Sequence, residues 1–253
     1  MSVLPLLKYS SRQALKSIPG VLEVRLLARK RLRHRLVTAS TSVCIEAFPR
    51  SGTGYAVALA NVGLQLPQGA IASNTHSIAN IRRAVARQVP AFVLIRDALQ
   101  SCLSLMVWGD CSDLVDALRA YHRFYAGLLP MVDGVTVVPF EALIESPNRV
   151  FDQLARSLKM DVSWSDGVAN AVTQARTRRD FSGRERIALR ANVPNATKEK
   201  WKDALLKQHF TAEAEQWYVQ CQRLRTHLIA AAPNKIEAHS PSSAPSSAAC
   251  RAY

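Results

Sequence analysis

Nowhere in the 253 residues does an apolar run approach the roughly 18–20 residues that a membrane-spanning helix needs, so no spanning helix is expected. The opening stretch, Met1-Ser2-Val3-Leu4-Pro5-Leu6-Leu7-Lys8, has neither a long apolar centre nor a small-residue cleavage site, and does not read as a secretion signal. Acidic residues are scarce: 19 Asp and Glu stand against 33 Lys and Arg, for a formal net charge of +14. Such a surplus points to anionic partners, and by itself does not choose among nucleotides, acidic glycans, nucleic acid and membrane surface. The five cysteines, Cys44, Cys102, Cys111, Cys221 and Cys250, are odd in number and include no Cys-x-x-Cys pair. That argues against a disulfide frame or a zinc site and reads as reduced core cysteines in a cytoplasmic protein. There is no internal repeat.

What is present is enough apolar material for one sizeable core, 48% of residues. Residues 1–40 are basic. Arg25, Arg29, Lys30, Arg31, Arg33, His34 and Arg35 are set among Leu22, Val24, Leu26, Leu27, Leu32 and Leu36, as in an amphipathic helix after Pro19-Gly20. Two readings stand for it: contact with anionic lipid or an acidic polymer, or a helix packed on the domain with a solvated basic face. Residues 41–232 form the main domain, and 233–253, rich in Ser, Ala and Pro, read as a disordered tail.

Within the domain, strand patterns alternate with helical ones. Strands are expected at 43–48, 91–95 and 135–140, and helices at 53–63, 77–89, 98–108, 112–129, 147–158, 164–182, 198–207 and 211–230. The continuous apolar run Ala91-Phe92-Val93-Leu94-Ile95 is typical of a parallel strand buried on both faces. This order predicts an α/β fold with a central parallel sheet flanked by helices. Ligands of such sheets collect beyond the carboxyl ends of the strands, here Arg50, Arg96 and Phe140.

The most informative stretch is Val43-Cys44-Ile45-Glu46-Ala47-Phe48-Pro49-Arg50-Ser51-Gly52-Thr53-Gly54-Tyr55. A strand that feeds a small-residue loop and then a helix aims several main-chain N–H groups at one point, with the helix dipole behind them. Arg50 adds a full charge and a fork of donors. This is a receptor for a phosphate or sulfate. It lacks the Lys-Ser/Thr that follows the last glycine of a nucleotide-triphosphate loop.

Pro49-Arg50-Ser51-Gly52-Thr53 resembles the 5′-phosphosulfate loop of the sulfotransferases, Pro-Lys/Arg-Ser-Gly-Thr-Thr-Trp; Gly54 and Tyr55 depart from it. Arg96 at a strand end with Ser104 eight residues on is similar to that family's reader of the donor 3′-phosphate. Thr75-His76 matches the family's Lys-Thr-His, with Asn74 in place of the lysine. Val138-Pro139-Phe140-Glu141 resembles its Tyr-Glu-Asp-Leu segment, and Lys200-Trp201-Lys202-Asp203 its closing Trp-Lys segment. The Arg-Lys-Gly that usually returns to the 3′-phosphate is not spelled out, which leaves Arg186 or Arg190 for that place.

The resemblance implies a P-loop-like fold and a sulfotransferase that uses 3′-phosphoadenylyl sulfate (PAPS), leaving 3′,5′-ADP. Arg50, Ser51, Gly52, Thr53 and Gly54 would hold the 5′-phosphate, and Arg96, Ser104 and Arg190 the 3′-phosphate. Tyr55 and Phe140 would stack on the adenine, and His76 would be the general base, with Arg50 also catalytic. No metal is called for, since the leaving group is already a stable phosphate. Family members of the Golgi carry a membrane anchor, so its absence argues for a soluble enzyme. The acceptor is a hydroxyl or amine, with acidic and carbohydrate acceptors favoured by the charge; nucleic acid is not expected as a partner. Two other readings are a P-loop nucleotide kinase and a non-catalytic sulfotransferase-like binder of an anionic polymer.

Overall fold

The computed structural model describes residues 8–18, 20–178 and 196–236. At its centre lie β1 (Val43–Ala47), β2 (Ile71–Ser73), β3 (Ala91–Ile95), β4 (Thr136–Pro139) and β5 (Asn234–Lys235). They form one sheet in the order β2-β1-β3-β4-β5, and every ladder is parallel. Ile45 pairs with Ser73 on one side and Phe92 on the other, so β1 is an interior strand. The expected α/β architecture, a parallel sheet covered by helices, is the one observed.

Side chains alternate across the sheet with period two. Cys44 in β1 and Phe48 just after it join Val93 and Ile95 in one apolar layer; Val43, Ile45 and Ala47 join Phe92 and Leu94 in the other. The first layer is covered by α1 (Tyr9–Lys16), α4 (Ile78–Ala86), α5 (Ala98–Trp108), α6 (Leu114–Ala126) and the long helix that closes the described chain, Ala212–Ala231. The second is covered by α3 (Thr53–Ala58), α7 (Phe140–Glu145), α8 (Pro147–Ser157) and α9 (Asp166–Arg178). Both layers being filled explains why β1 and β3 are buried at every position. Cys44, Cys102, Cys111 and Cys221 are free thiols inside this core; Cys250 lies outside the described residues.

Local chemistry sets the helix ends. Ser77 caps α4 by accepting from the Ala79 N–H, and Asp97 caps α5 by accepting from the Gln100 N–H at 2.8 Å. Gly109, at φ +82°, ends α5 in the left-handed conformation.

Several elements differ from the pattern-based expectation. The helix expected at 53–63 is α3 followed by a π-helical turn at Leu59–Gly63. Gly63 there lets α8 approach closely: a Cβ would sit 2.9 Å from Phe151 Cε2. The strand expected to reach Phe140 stops at Pro139, which has no N–H to give the ladder, and Phe140 opens α7. The basic amphipathic helix is a short one, α2 (Val21–Leu27), followed by a 3-10 turn over Lys30–Arg35. Leu22, Leu26 and Leu36 pack with Ala79, so this segment is docked on the domain. The expected tail begins inside the sheet: Asn234 and Lys235 pair with β4, and Ile236 is buried. Among the described residues no helix is long and apolar enough to cross a membrane.

Candidate functional site

The loop after β1 is held in a shape that ordinary residues avoid. Arg50 has φ +68° and Gly52 has φ +96°. Gly52 is required twice over, because a Cβ would also meet Phe140 Cδ2 at 2.9 Å. Ser51 is fully buried, its hydroxyl 3.2 Å from that of Ser101 in α5. Thr53 begins α3, and its buried Oγ1 has no hydrogen-bond partner among the described residues. A buried hydroxyl left unsatisfied beside a loop of this kind calls for a partner from outside the chain. Gly54 opens on free space, and Tyr55 is half-buried against the second apolar layer.

Three residues far apart in sequence meet at this loop. Arg50 Nε donates to Ser104 Oγ at 3.1 Å, and its guanidinium lies 4.7 Å over the Trp108 ring. Arg96 Nη1 donates to the Arg50 carbonyl at 3.1 Å, and its own guanidinium lies 4.3 Å over the Phe140 ring. Tyr121 donates to the Arg96 carbonyl at 2.6 Å, which fixes the end of β3. The cation–π pairs keep both guanidiniums flat and shielded without neutralising them. Arg50, Gly52, Arg96, Ser104 and Phe140 are thus one cluster. Phe140 serves it from beneath Arg96.

His76 stands on the other flank of β1. It follows β2 in a segment where Asn74 and His76 both have left-handed backbone, φ +58° and +51°. The conformation is pinned by Glu46, a fully buried carboxylate inside β1. Glu46 Oε1 accepts from the Thr75 N–H at 3.1 Å, the Thr75 hydroxyl at 2.6 Å and Asn80 Nδ2 at 3.0 Å; Oε2 accepts the His76 N–H at 3.0 Å. Burial pushes the Glu46 carboxyl up, and the donors from Thr75, Asn80 and His76 pull it back. His76 Nδ1 lies 2.8 Å from the Ala47 carbonyl. A carbonyl only accepts, so Nδ1 carries the proton and Nε2 keeps its lone pair. Burial, with Lys16, Arg35 and Arg50 nearby, brings the imidazole pKa down to about 4 against the pull of the Ala47 carbonyl. His76 is therefore a neutral base at physiological pH.

One further feature escaped the sequence reading. Glu46 is a lone carboxylate within an apolar strand, and that isolation was the signal that could have found it. The expected helix near 198–207 is Ala196–His209; its buried Lys202 reaches the start of α5, where Nζ donates to Gln100 at 3.1 Å, and also donates to Glu199 of its own helix at 2.8 Å. Arg186 and Arg190, considered for a nucleotide contact, lie outside the described residues. Among the described residues no group of three or more His, Cys, Asp or Glu is placed to hold a metal ion.

No protein-family model matches the chain, and no curated protein matches it. Among solved structures it is similar to the crystal structure of mouse sulfotransferase SULT7A1 complexed with PAP, at 8% identity and a TM-score of 0.41, over 76% of this chain and 92% of that one. A likeness this slight adds no weight to the geometry above.

Proposed function

We propose that the protein is a sulfotransferase that moves a sulfuryl group from PAPS to a hydroxyl or amine. The observation that carries this reading is the convergence of Arg50, Arg96 and Ser104 on one glycine loop, from positions 46 and 54 residues apart. One anion at the loop and a second at Arg96 is what a nucleotide phosphorylated at both 3′ and 5′ requires. The unsatisfied Thr53 hydroxyl fits such a ligand.

In this reading PAPS supplies an activated sulfuryl group on a phosphate that leaves readily. Arg50 and the N–H groups of Ser51, Gly52 and Thr53 hold the 5′-phosphate and stabilise the charge that grows on its leaving oxygen. Arg96 and Ser104 take the 3′-phosphate, with Arg190 a further candidate there. Tyr55 and Phe140 flank the adenine. His76 takes the acceptor's proton on Nε2, and Glu46 keeps that ring in place. The loop, not a metal, carries the electrostatic work.

Calorimetric titration of 3′,5′-ADP and 5′-AMP tests the assignment. Wild type should bind 3′,5′-ADP at least about tenfold more tightly, because a charged hydrogen bond contributes roughly 1.5–3 kcal/mol and each 1.4 kcal/mol is about a factor of ten. Arg96→Ala should remove most of that preference, and Ser104→Ala part of it. Equal affinity of wild type for the two nucleotides would end the sulfotransferase reading.

A further inference from the structure

The corner between α1 and α2 exposes apolar surface that the fold does not use. Of the eleven large apolar side chains exposed among the described residues, five lie here: Leu15, Ile18, Val21, Val24 and Leu27. The helix α2 divides cleanly into two faces. Leu22 and Leu26 are buried against Leu36 and Ala79. Val21, Val24 and Leu27 recur every third residue on the outer face, and Val24 is 71% exposed. Contiguous apolar surface of this kind on a folded domain marks a place where something binds.

Charge identifies the occupant. Of the net +14, +8 falls in residues 1–36, nine Lys and Arg against the single acid Glu23. Glu23 is turned aside: it accepts from the Gly20 N–H at 2.8 Å and pairs with Arg83 at 3.3 Å. No other carboxylate belongs to this segment, and Arg25, Arg29 and Arg33 are exposed around it. Arg33 Nε donates to the Leu27 carbonyl at 2.9 Å, which holds its guanidinium beside the apolar stripe. A polyanion alone would be met by the arginines and would leave five apolar side chains in water. A lipid surface with anionic headgroups satisfies both, apolar groups in the acyl boundary and guanidiniums on phosphates.

We propose that the α1–α2 corner docks the protein on the surface of an anionic lipid bilayer, with Val21, Val24 and Leu27 inserted and Arg25, Arg29 and Arg33 at headgroup level. The corner is joined to the His76 segment: Ser77 Oγ donates to the Lys16 carbonyl at 2.6 Å, and Arg35 Nη1 to the Asn74 carbonyl at 3.4 Å. The proposal does not rest on sulfuryl transfer, since vesicle binding is read without nucleotide or acceptor.

The test is co-sedimentation of the full chain with phosphatidylcholine vesicles and with phosphatidylcholine–phosphatidylserine vesicles, beside binding to heparin. Wild type should partition onto the serine-containing vesicles at least about tenfold better than onto the neutral ones. The double variant Val24→Asp/Leu27→Asp should lose at least about tenfold of that partition while heparin binding and melting temperature stay as in wild type. Arg25→Gln/Arg29→Gln should weaken both ligands. If the Asp variant melts lower, Val24→Ser replaces it with the same expected direction. Three results overturn the proposal: no vesicle binding by wild type; equal vesicle binding by wild type and the apolar variants, which marks a polyanion surface only; or a wild-type dimer that the apolar variants dissociate without any vesicle binding, which makes the occupant a second copy.

Discussion

The carboxylate of Glu46 accepts the main-chain N–H of His76 at 3.0 Å across 30 residues of sequence. It is the buried acceptor on which the left-handed Asn74–His76 segment hangs. Removing it in Glu46→Ala strands the Thr75 N–H and hydroxyl, the His76 N–H and an Asn80 N–H without that acceptor. Stability should fall by about 2 kcal/mol or more in urea denaturation, since each unsatisfied buried group costs roughly 1–3 kcal/mol. Glu46→Gln keeps one oxygen for Thr75 and Asn80 but turns N–H groups toward the His76 N–H, so it should cost less stability and still lower turnover. An Ala variant as stable as wild type would show that water replaces the carboxylate there.

His76 gives the pH dependence. Its folded pKa is about 4 and its ordinary value 6.5, so the unfolded chain binds the proton more readily than the fold does. The stability that depends on the neutral ring is complete above pH 6.5 and is lost as the pH falls from there toward 4. In the proposed role of base the ring would stay competent over that same interval. The acid limb of kcat/KM should therefore fall near pH 4 rather than 6.5, and Lys16→Met, which removes one of the cations that depress the pKa, should move it upward. A limb at 6.5 in wild type would place the working ring in open water.

Thr53 separates a ligand role from a structural one. Its Oγ1 has no partner among the described residues, so Thr53→Val should leave the melting temperature unchanged or slightly raised. The same change should weaken 3′,5′-ADP by about tenfold if the hydroxyl donates to a phosphate oxygen. Unaltered affinity in isothermal titration would remove Thr53 from the binding site.

Truncation tests where the folded part ends. A chain stopped after Ile236 should keep the wild-type melting temperature. One stopped after Ala232 loses β5 and the buried Ile236, and should melt several degrees lower. Equal melting of the two would mean that the fifth strand adds nothing to the sheet.

Much of this was legible before any coordinates. Ala91–Ile95 is apolar throughout, and Val43–Ala47 apolar but for Glu46, because both faces of each strand are covered, and such runs announce themselves. Arg50, Arg96 and Ser104 could be grouped only through their resemblance to one family's motifs. Glu46 could not, since its value lies in donors on Thr75, His76 and Asn80, 29 to 34 residues away. The second and fifth strands, three and two residues long, are too short for alternation to show. The Trp108 ring over Arg50 depends on how α5 is rotated, which no local pattern records.

The sheet has a consequence for how the chain is made. Every ladder is parallel, so none can close as a hairpin, and each waits for an intervening crossover. The last is the longest: Thr136 pairs with Asn234, after the helix Ala212–Ala231 has been synthesised. Until then the outer edge of β4 keeps unpaired main-chain N–H and C=O groups. Slow closure of a distant parallel strand is the step at which the nascent chain is most open to mispairing, and a chaperone that shields β4 would act there.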